Sequence, residues 1–415
     1  MKIAVIGAGI SGISSAFELV ANGHDVTVFE KSNAAAEGAS FATNGLMASS
    51  LMQPLTLSAS EPSHWNRFLK NAKPLSVRSG MRWNDLQWLW QWSKYGNTET
   101  LTASIQNLRA LYAYSLERMR SIASHANLDY EQSNGQLVIL RTAEDENMLR
   151  PRLSLLKDCG VEFQILSHEQ CVKYEPALSL STEFHAGIHF PNDEVANCRQ
   201  FAMLLKAELL QKNVDFQFNS KVKGIKTAPH LSVLLEGDNQ ARPFDHIVLC
   251  AGSDTPMLLQ ALQCDFASTS ICNYTLTLPI RETTLAPRSA VLDTKTNITL
   301  HRLGQRIRVC GGYELGADVS KKHKKTMNHM YQVMEQFFPG AAMHQAGSQI
   351  FKSSQLITAT GLPYIGASRV AGLWINAGHG VHGWGTACGS AKLIADLITK
   401  KEPEIDALAF QRLGY

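Results

Sequence analysis

At 415 residues, with 45% hydrophobic and 18% charged positions, the chain has ordinary globular composition and enough length for two lobes rather than one simple core. Its net charge of +3, with no basic block longer than His323-Lys324-Lys325 and its flanks, gives no reason to expect a nucleic-acid partner. The eight cysteines contain no C-x-x-C pair, so neither a metal site nor a disulfide framework follows, and reduced thiols in a cytoplasmic protein fit best.

Residues 2–6 are apolar and rich in β-branched side chains, which predicts a strand. Gly7-Ala8-Gly9-Ile10-Ser11-Gly12 follows at once, residues 13–21 take helical spacing, Asn22-Gly23 stops them, and residues 25–30 predict a second strand. Few regular patterns are expected over 46–95. Trp83, Trp88, Trp90 and Trp92 fall there, and aromatic packing onto the second lobe is favoured over contact with a membrane surface. Helices are predicted over 100–124, 143–158, 201–211 and 324–338. Strands are predicted over 137–140, 215–218 and 246–250, with a hairpin over 222–235 and a β-rich stretch over 274–309. The end repeats the opening theme, with a strand over 373–376, a glycine-rich turn and a helix over 386–399. No stretch reaches the roughly 18 apolar residues of a membrane span. Strand–turn–helix units at both ends, with β-rich sequence before the last, argue for an α/β fold in which a discontinuous dinucleotide domain is interrupted by a substrate domain.

The first glycine turn sits between a strand and a helix, and an acid closes the next strand. Gly7 permits the tight turn, Gly9 lets the backbone approach a pyrophosphate, and Gly12 lets helix and strand pack closely. The helix N-terminus then offers unpaired N–H groups and a positive dipole end to phosphates. Glu30, eighteen residues after Gly12, is placed to accept from the ribose hydroxyls, and disfavours a 2′-phosphate. Two later segments favour FAD over NAD. Val248 to Gly252 is a strand ending in the small residues Ala251 and Gly252, suited to backbone passing beneath a cofactor. The turn through Gly378, His379, Gly380, Val381, His382, Gly383, Trp384 and Gly385 provides a second helix N-terminus, able to stabilise negative charge on a reduced flavin.

The chain resembles the D-amino acid dehydrogenase branch of the D-amino acid oxidase/glycine oxidase flavoproteins over nearly its whole length. Beside the first motif, the resemblance rests on Ser40-Phe41-Ala42-Thr43-Asn44-Gly45, Gly135-Gln136-Leu137, Glu175-Pro176-Ala177-Leu178 and Pro191-Asn192-Asp193-Glu194. It continues in Tyr274-Thr275-Leu276-Thr277, Gln305-Arg306-Ile307-Arg308-Val309, Gly378-His379-Gly380 and Ala387-Cys388-Gly389-Ser390. It implies a discontinuous Rossmann-like FAD-binding domain (1–55, 189–262 and 346–415) and an α+β substrate domain on a mixed sheet (56–188 and 263–345). It also implies Lys31 beside Glu30, Ser40, Thr43, Asn44, Gly45 and Leu46 near the pyrophosphate or isoalloxazine, and Val222 meeting adenine by its backbone. In such enzymes a substrate hydrogen leaves as hydride to flavin N5, the imine hydrolyses to a 2-oxo acid and ammonia, and electrons pass to a respiratory acceptor rather than mainly to oxygen; for this chain quinone or oxygen stays open.

One departure bears on substrate. Where the family pattern places an Arg that clamps the substrate carboxylate, this chain reads Ser353-Ser354-Gln355-Leu356-Ile357. A neutral amide cannot supply the charge-assisted bidentate contact of a guanidinium. Val381-His382 and Cys272-Asn273 also differ from the family's usual pairs. Gln355, Tyr274, Tyr313, His379, His382, Arg302 and Arg308 are the polar candidates around the flavin, with His382 a candidate base and either arginine a replacement anchor. Three functions follow: a D-amino acid or related amine dehydrogenase with changed preference, a maturation flavoprotein oxidising a residue of a partner protein during biogenesis of a peptide-derived quinone cofactor, or a non-catalytic flavin-bearing subunit. A cytoplasmic location, with peripheral contact at the inner face of the membrane as the alternative, accompanies all three.

Overall fold

Lys2–Ile6 pairs in parallel with Asp25–Phe29 on one side and His246–Leu249 on the other, at the centre of a six-stranded sheet. Asp215–Gln217 and Leu373–Ala377 extend this sheet in the same sense, and Tyr364–Ala367 closes one edge antiparallel. The central strand is buried at Ile3, Ala4 and Val5, as expected of a parallel strand covered on both faces. These positions belong to a computed structural model that describes residues 1–48, 50, 75–78, 80–94, 98–158, 160–264, 266–343 and 347–411.

The helix after the first strand runs Ile10–Ala21, beginning inside the glycine motif rather than at residue 13. It packs against Gly383–Thr399 and Cys198–Gln211. The hairpin expected near 222–235 forms as Val222–Lys226 and Ser232–Leu235, with Arg242–Pro243 completing a small antiparallel sheet.

The second lobe is built on a large mixed sheet. In spatial order its main path runs Gln349–Thr358, Ser268–Pro279, Arg306–Leu315, Ile298–Leu303, Ala290–Asp293, Gln132–Leu140, Ala186–Ala196 and Leu46–Met47. One face is covered by the helix Lys324–Phe337, whose Met330, Val333, Met334 and Phe337 meet Tyr274, Leu276, Ile307 and Val309. This α/β architecture agrees with the fold read from the sequence, but the segment limits differ. The limit at 188/189 falls inside the strand Ala186–Ala196, and Gln349–Thr358 pairs along its whole length with Ser268–Pro279 of the large sheet. Leu46–Met47 pairs with Glu194 and Val195, so part of the first segment also belongs there. Pairing partners distant in sequence decide these memberships. The limit at 55/56 lies outside the described residues.

Part of the stretch expected to lack regular structure is helical, over Trp83–Lys94. Asp85 accepts from the Arg82 N–H at 2.8 Å near its start, and Lys94 occupies its last turn, both favourable to the helix dipole. Trp88 and Trp92, four apart, are buried and stack at 5.7 Å. They cover Ile271, Tyr313, Leu315 and Ile357 on the sheet face opposite Lys324–Phe337. Trp83 and Trp90 lie outward and are exposed. Among the described residues no helix is long and apolar enough to cross a membrane, no cluster of acids, histidines and cysteines could hold a metal, and the cysteines are free.

Candidate active site

The glycine turn is sterically committed. Gly7 has φ +104°, and a Cβ there would lie 2.5 Å from the Cys250 carbonyl oxygen. A Cβ on Gly12 would lie 1.9 Å from the Gly7 carbonyl oxygen, so the helix can approach the strand only with hydrogen at this position. Gly9 caps Ile10–Ala21 without a side-chain acceptor, and the Ile10 N–H donates to Ser40 Oγ at 3.0 Å. Glu30 accepts from the Ala8 and Ser32 N–H groups, each at 2.8 Å. A carboxylate accepts about four hydrogen bonds, so capacity remains on Glu30 for a diol.

One elongated cavity starts at these residues. Gly7, Gly9, Ile10, Ser11, Glu30, Lys31, Ser40, Thr43, Val222, Ala251, Gly252, Gly380, Val381, Gly383 and Trp384 all line it, joined by Gln355. Ser32, Ser220, Asp254, Ser354, Leu356 and Asn376 line it as well; no local motif singles them out, and they arrive from loops and from the large sheet. At its far end, the helix Gly383–Thr399 begins without a side-chain cap after the turn Gly380–His382. The remaining expected cofactor residues stand behind the wall. Ala8 is buried and holds Glu30, while Asn44, Gly45 and Leu46 carry the loop onward, Leu46 pairing with Val195 and Gly45 lying against His301. Gly385 serves helix packing instead, since a Cβ there would meet Tyr112 at 2.1 Å.

His379 braces the far turn. Its Nε2 is 2.9 Å from Asn376 Oδ1 and its Nδ1 is 3.0 Å from Thr386 Oγ1; Asn376 Nδ2 in turn donates to Ser15 Oγ at 3.1 Å. Burial, aided by His382 nearby, lowers the His379 pKa to about 4. The ring is therefore neutral at pH 7. With Nε2–H donating to Asn376, Nδ1 accepts from the Thr386 hydroxyl. The chain Thr386–His379–Asn376–Ser15 thus ties the C-terminal turn to the first helix.

Gln355 lies on the sheet face covered by Trp88 and Trp92, opposite Ile271 in register. It is buried, and its Oε1 has no hydrogen-bond partner among the described residues. Tyr313 belongs to the same covered face, and burial pushes its phenol pKa up. The other candidates stand elsewhere. Tyr274 points into the apolar cluster under Lys324–Phe337, and its hydroxyl meets Glu314 and His323. The alternation Tyr274-Thr275-Leu276-Thr277-Leu278 carried that information: the apolar members share one face, while Thr275 on the other donates to the Ala42 carbonyl at 2.7 Å. His382 is not part of the cavity wall, and its carbonyl lies 2.9 Å from Thr386 Oγ1, sharing with His379 Nδ1 the one proton of that hydroxyl.

Neither arginine replaces the missing anchor at position 355. Arg302 donates to the Gly304 carbonyl. Arg308 is buried rather than solvated, and pairs in register with Thr277, which pairs with Gln349. Six residues separate Gln349 from Gln355 along their strand, roughly 20 Å at about 3.3 Å per residue.

The family of FAD dependent oxidoreductases designated DAO matches residues 2–397. The chain belongs to this family. It is 30% identical over 423 residues to a D-amino acid dehydrogenase of Rhizobium johnstonii, with both chains fully covered. It is 28% identical over 418 residues to D-amino acid dehydrogenase 1 of Mesorhizobium japonicum, again with full coverage. Among solved structures, glycine oxidase from Bacillus cereus superimposes with a TM-score of 0.75 at 16% identity, covering 99% of this chain and 98% of that one. L-proline dehydrogenase from P. horikoshii gives 0.69 at 16% identity, covering 98% and 95%. These structural likenesses concern the fold. As a member of the family the chain is an FAD-dependent oxidoreductase, and the glycine cradle, the free capacity of Glu30 and the two uncapped helix starts fit the cofactor's phosphates, ribose and flavin.

Proposed function

We propose that the chain oxidises the C–N bond of a D-amino acid or related amine, and that Gln355 shifts its preference away from substrates that depend on a clamped α-carboxylate. The observation that carries this reading is the buried amide of Gln355, with its Oε1 unpartnered, in the cavity wall beside Val381 and Leu356. The names of the full-length relatives support the amine substrate class.

When bound, FAD supplies the two-electron acceptor. The residues of this chain supply position, dryness and fixed dipoles. Trp88, Trp92, Tyr313 and Ile357 pack the space beside Gln355 and exclude water. The amide of Gln355 offers an acceptor to a substrate N–H and a neutral donor to an oxygen. The uncapped start of Gly383–Thr399 favours negative charge at the cavity's far end. Neutral His379 holds that turn in place without adding a charge.

The test is anaerobic mixing of FAD-loaded protein with D-amino acids, imino acids and the corresponding decarboxylated amines. The reading expects bleaching of the flavin by members of this panel, with amines lacking a carboxylate performing comparatively well. An unchanged oxidised spectrum across the panel defeats it. Bleaching only by a co-purifying polypeptide transfers the assignment to oxidation of a residue within a protein.

A further inference from the structure

Behind the loop that borders the cofactor cavity lies a second cavity of about 690 Å³, within the usual size range of small-molecule sites. The loop separates the two: Ser40 and Thr43 line the first, Phe41 and Ala42 the second. Three arginines reach the second cavity, and two already have an acid. Arg199 pairs with Glu37 at 2.6 Å, and Arg306 pairs with Glu131 at 2.8 Å. Glu131 is further occupied by Asn197 Nδ2 at 2.7 Å.

Arg308 has no acid. It is only 6% exposed, and its one hydrogen bond among the described residues runs from Nη1 to the Thr43 carbonyl at a long 3.5 Å. The neighbouring His301, in register on the adjacent strand, is buried and adds no negative charge. A guanidinium taken out of water without a direct ion pair is costly, and an anion that enters beside it offsets part of that cost. Thr277, opposite Arg308 in register, and Gln349, next in the same row, place neutral polar groups in the wall. The rings of Phe41 and Phe351, with centroids 4.7 Å apart, give the same cavity an apolar side.

We propose that this cavity is a second binding site that takes a small organic carboxylate, with the carboxylate on Arg308 and the carbon skeleton against Phe41 and Phe351. The site is separate from the substrate position at Gln355 and does not rest on which amine is oxidised there. Arg308 forms a charge-assisted bidentate contact with the ligand, as guanidinium groups do with carboxylates.

The experiment is calorimetric titration of the full-length, FAD-loaded protein with phenylacetate, uncharged phenylacetamide and inorganic phosphate. Phenylacetate should bind at least about tenfold more tightly than either of the others, because only it has both the charge and the apolar body. Arg308→Gln should weaken phenylacetate by roughly ten- to a hundredfold. Thr277→Glu, which places a competing carboxylate opposite Arg308 and keeps the guanidinium, should do the same and guards against misfolding of the first variant. Gln355→Leu should leave the affinity unchanged. No binding of phenylacetate, equal binding of phosphate or phenylacetamide, indifference to both cavity variants, or loss in Gln355→Leu would each overturn the proposal.

Discussion

Replacing Gln355 by Arg restores a carboxylate clamp, and its effect can be worked from the surroundings. The native amide is 8% exposed, its Oε1 is unpaired, and its neighbours are Ile271 in register and the cluster of Trp88, Trp92, Tyr313 and Ile357. The cluster itself is apolar, and the buried carboxylate of Asp85 on the same helix is already engaged by the Thr269 hydroxyl and the Arg82 N–H. A guanidinium there gains a bidentate, desolvated partner only when substrate brings a carboxylate, worth about 2–4 kcal/mol, or roughly thirty- to a thousandfold in apparent Kd. Without substrate the same group is an unpaired buried cation, so the free variant should melt earlier than the parent. Anaerobic rapid mixing with a D-amino acid and with its decarboxylated amine reads the first effect from the concentration dependence of flavin bleaching. Thermal melts with and without the amino acid read the second. Tighter binding confined to the amino acid, with a larger ligand-induced rise in Tm than the parent shows, is the expected result. Equal changes for amino acid and amine in a variant that still holds FAD would refute the reasoning.

Gly12→Ala puts a methyl group 1.9 Å from the Gly7 carbonyl oxygen, so the purified variant should retain little FAD by absorbance while Gly224→Ala, with open space around its Cβ and outside the cavity wall, retains it. Trp88→Ala removes a buried indole from the cluster beside Gln355 and should cost about 3–5 kcal/mol in a denaturant titration. His301 is fully buried, and burial together with Arg308 lowers its pKa to about 3. Its unfolded value near 6.5 means the unfolded chain binds the extra proton first. Its stabilising contribution is therefore present above pH 6.5 and is lost as the pH falls toward 3, with a total on the order of 5 kcal/mol. His301→Gln should flatten the fall in Tm across that window, and an unchanged slope would contradict the assignment.

The nucleotide end of the site was legible because it is local. Strand, turn, helix and acid follow one another within thirty residues; the helix starts earlier, at Ile10, since glycine inside the motif still takes helical dihedrals, and the second strand ends at Phe29, just before the acid. The sheet face was harder. Counting alternate residues from Arg308 puts Cys310 on the same side and Tyr313 on the other. The pairing of Cys272 with Glu314 and of Tyr274 with Gly311 inserts one extra residue, and Gly312 at φ +64° absorbs it. Tyr313 thereby returns to the face of Gln355. The burial of Arg308 was not readable either, because the cover over its strand is a loop from residues 40–45, more than two hundred and fifty positions away. Gly385 looked like part of a cofactor turn, yet what it meets is Tyr112 on a distant helix.

The way the chain passes between its two sheets also limits how such a protein can diversify. Leu46–Met47, Ala186–Ala196 and Gln349–Thr358 leave the neighbourhood of the nucleotide sheet to pair in the other, each from a different stretch of sequence. No single cut releases either lobe, so neither can be exchanged as a cassette by recombination at one junction. Point replacements on one face of the large sheet change the site without any such exchange, and Gln355 is placed where one replacement would register.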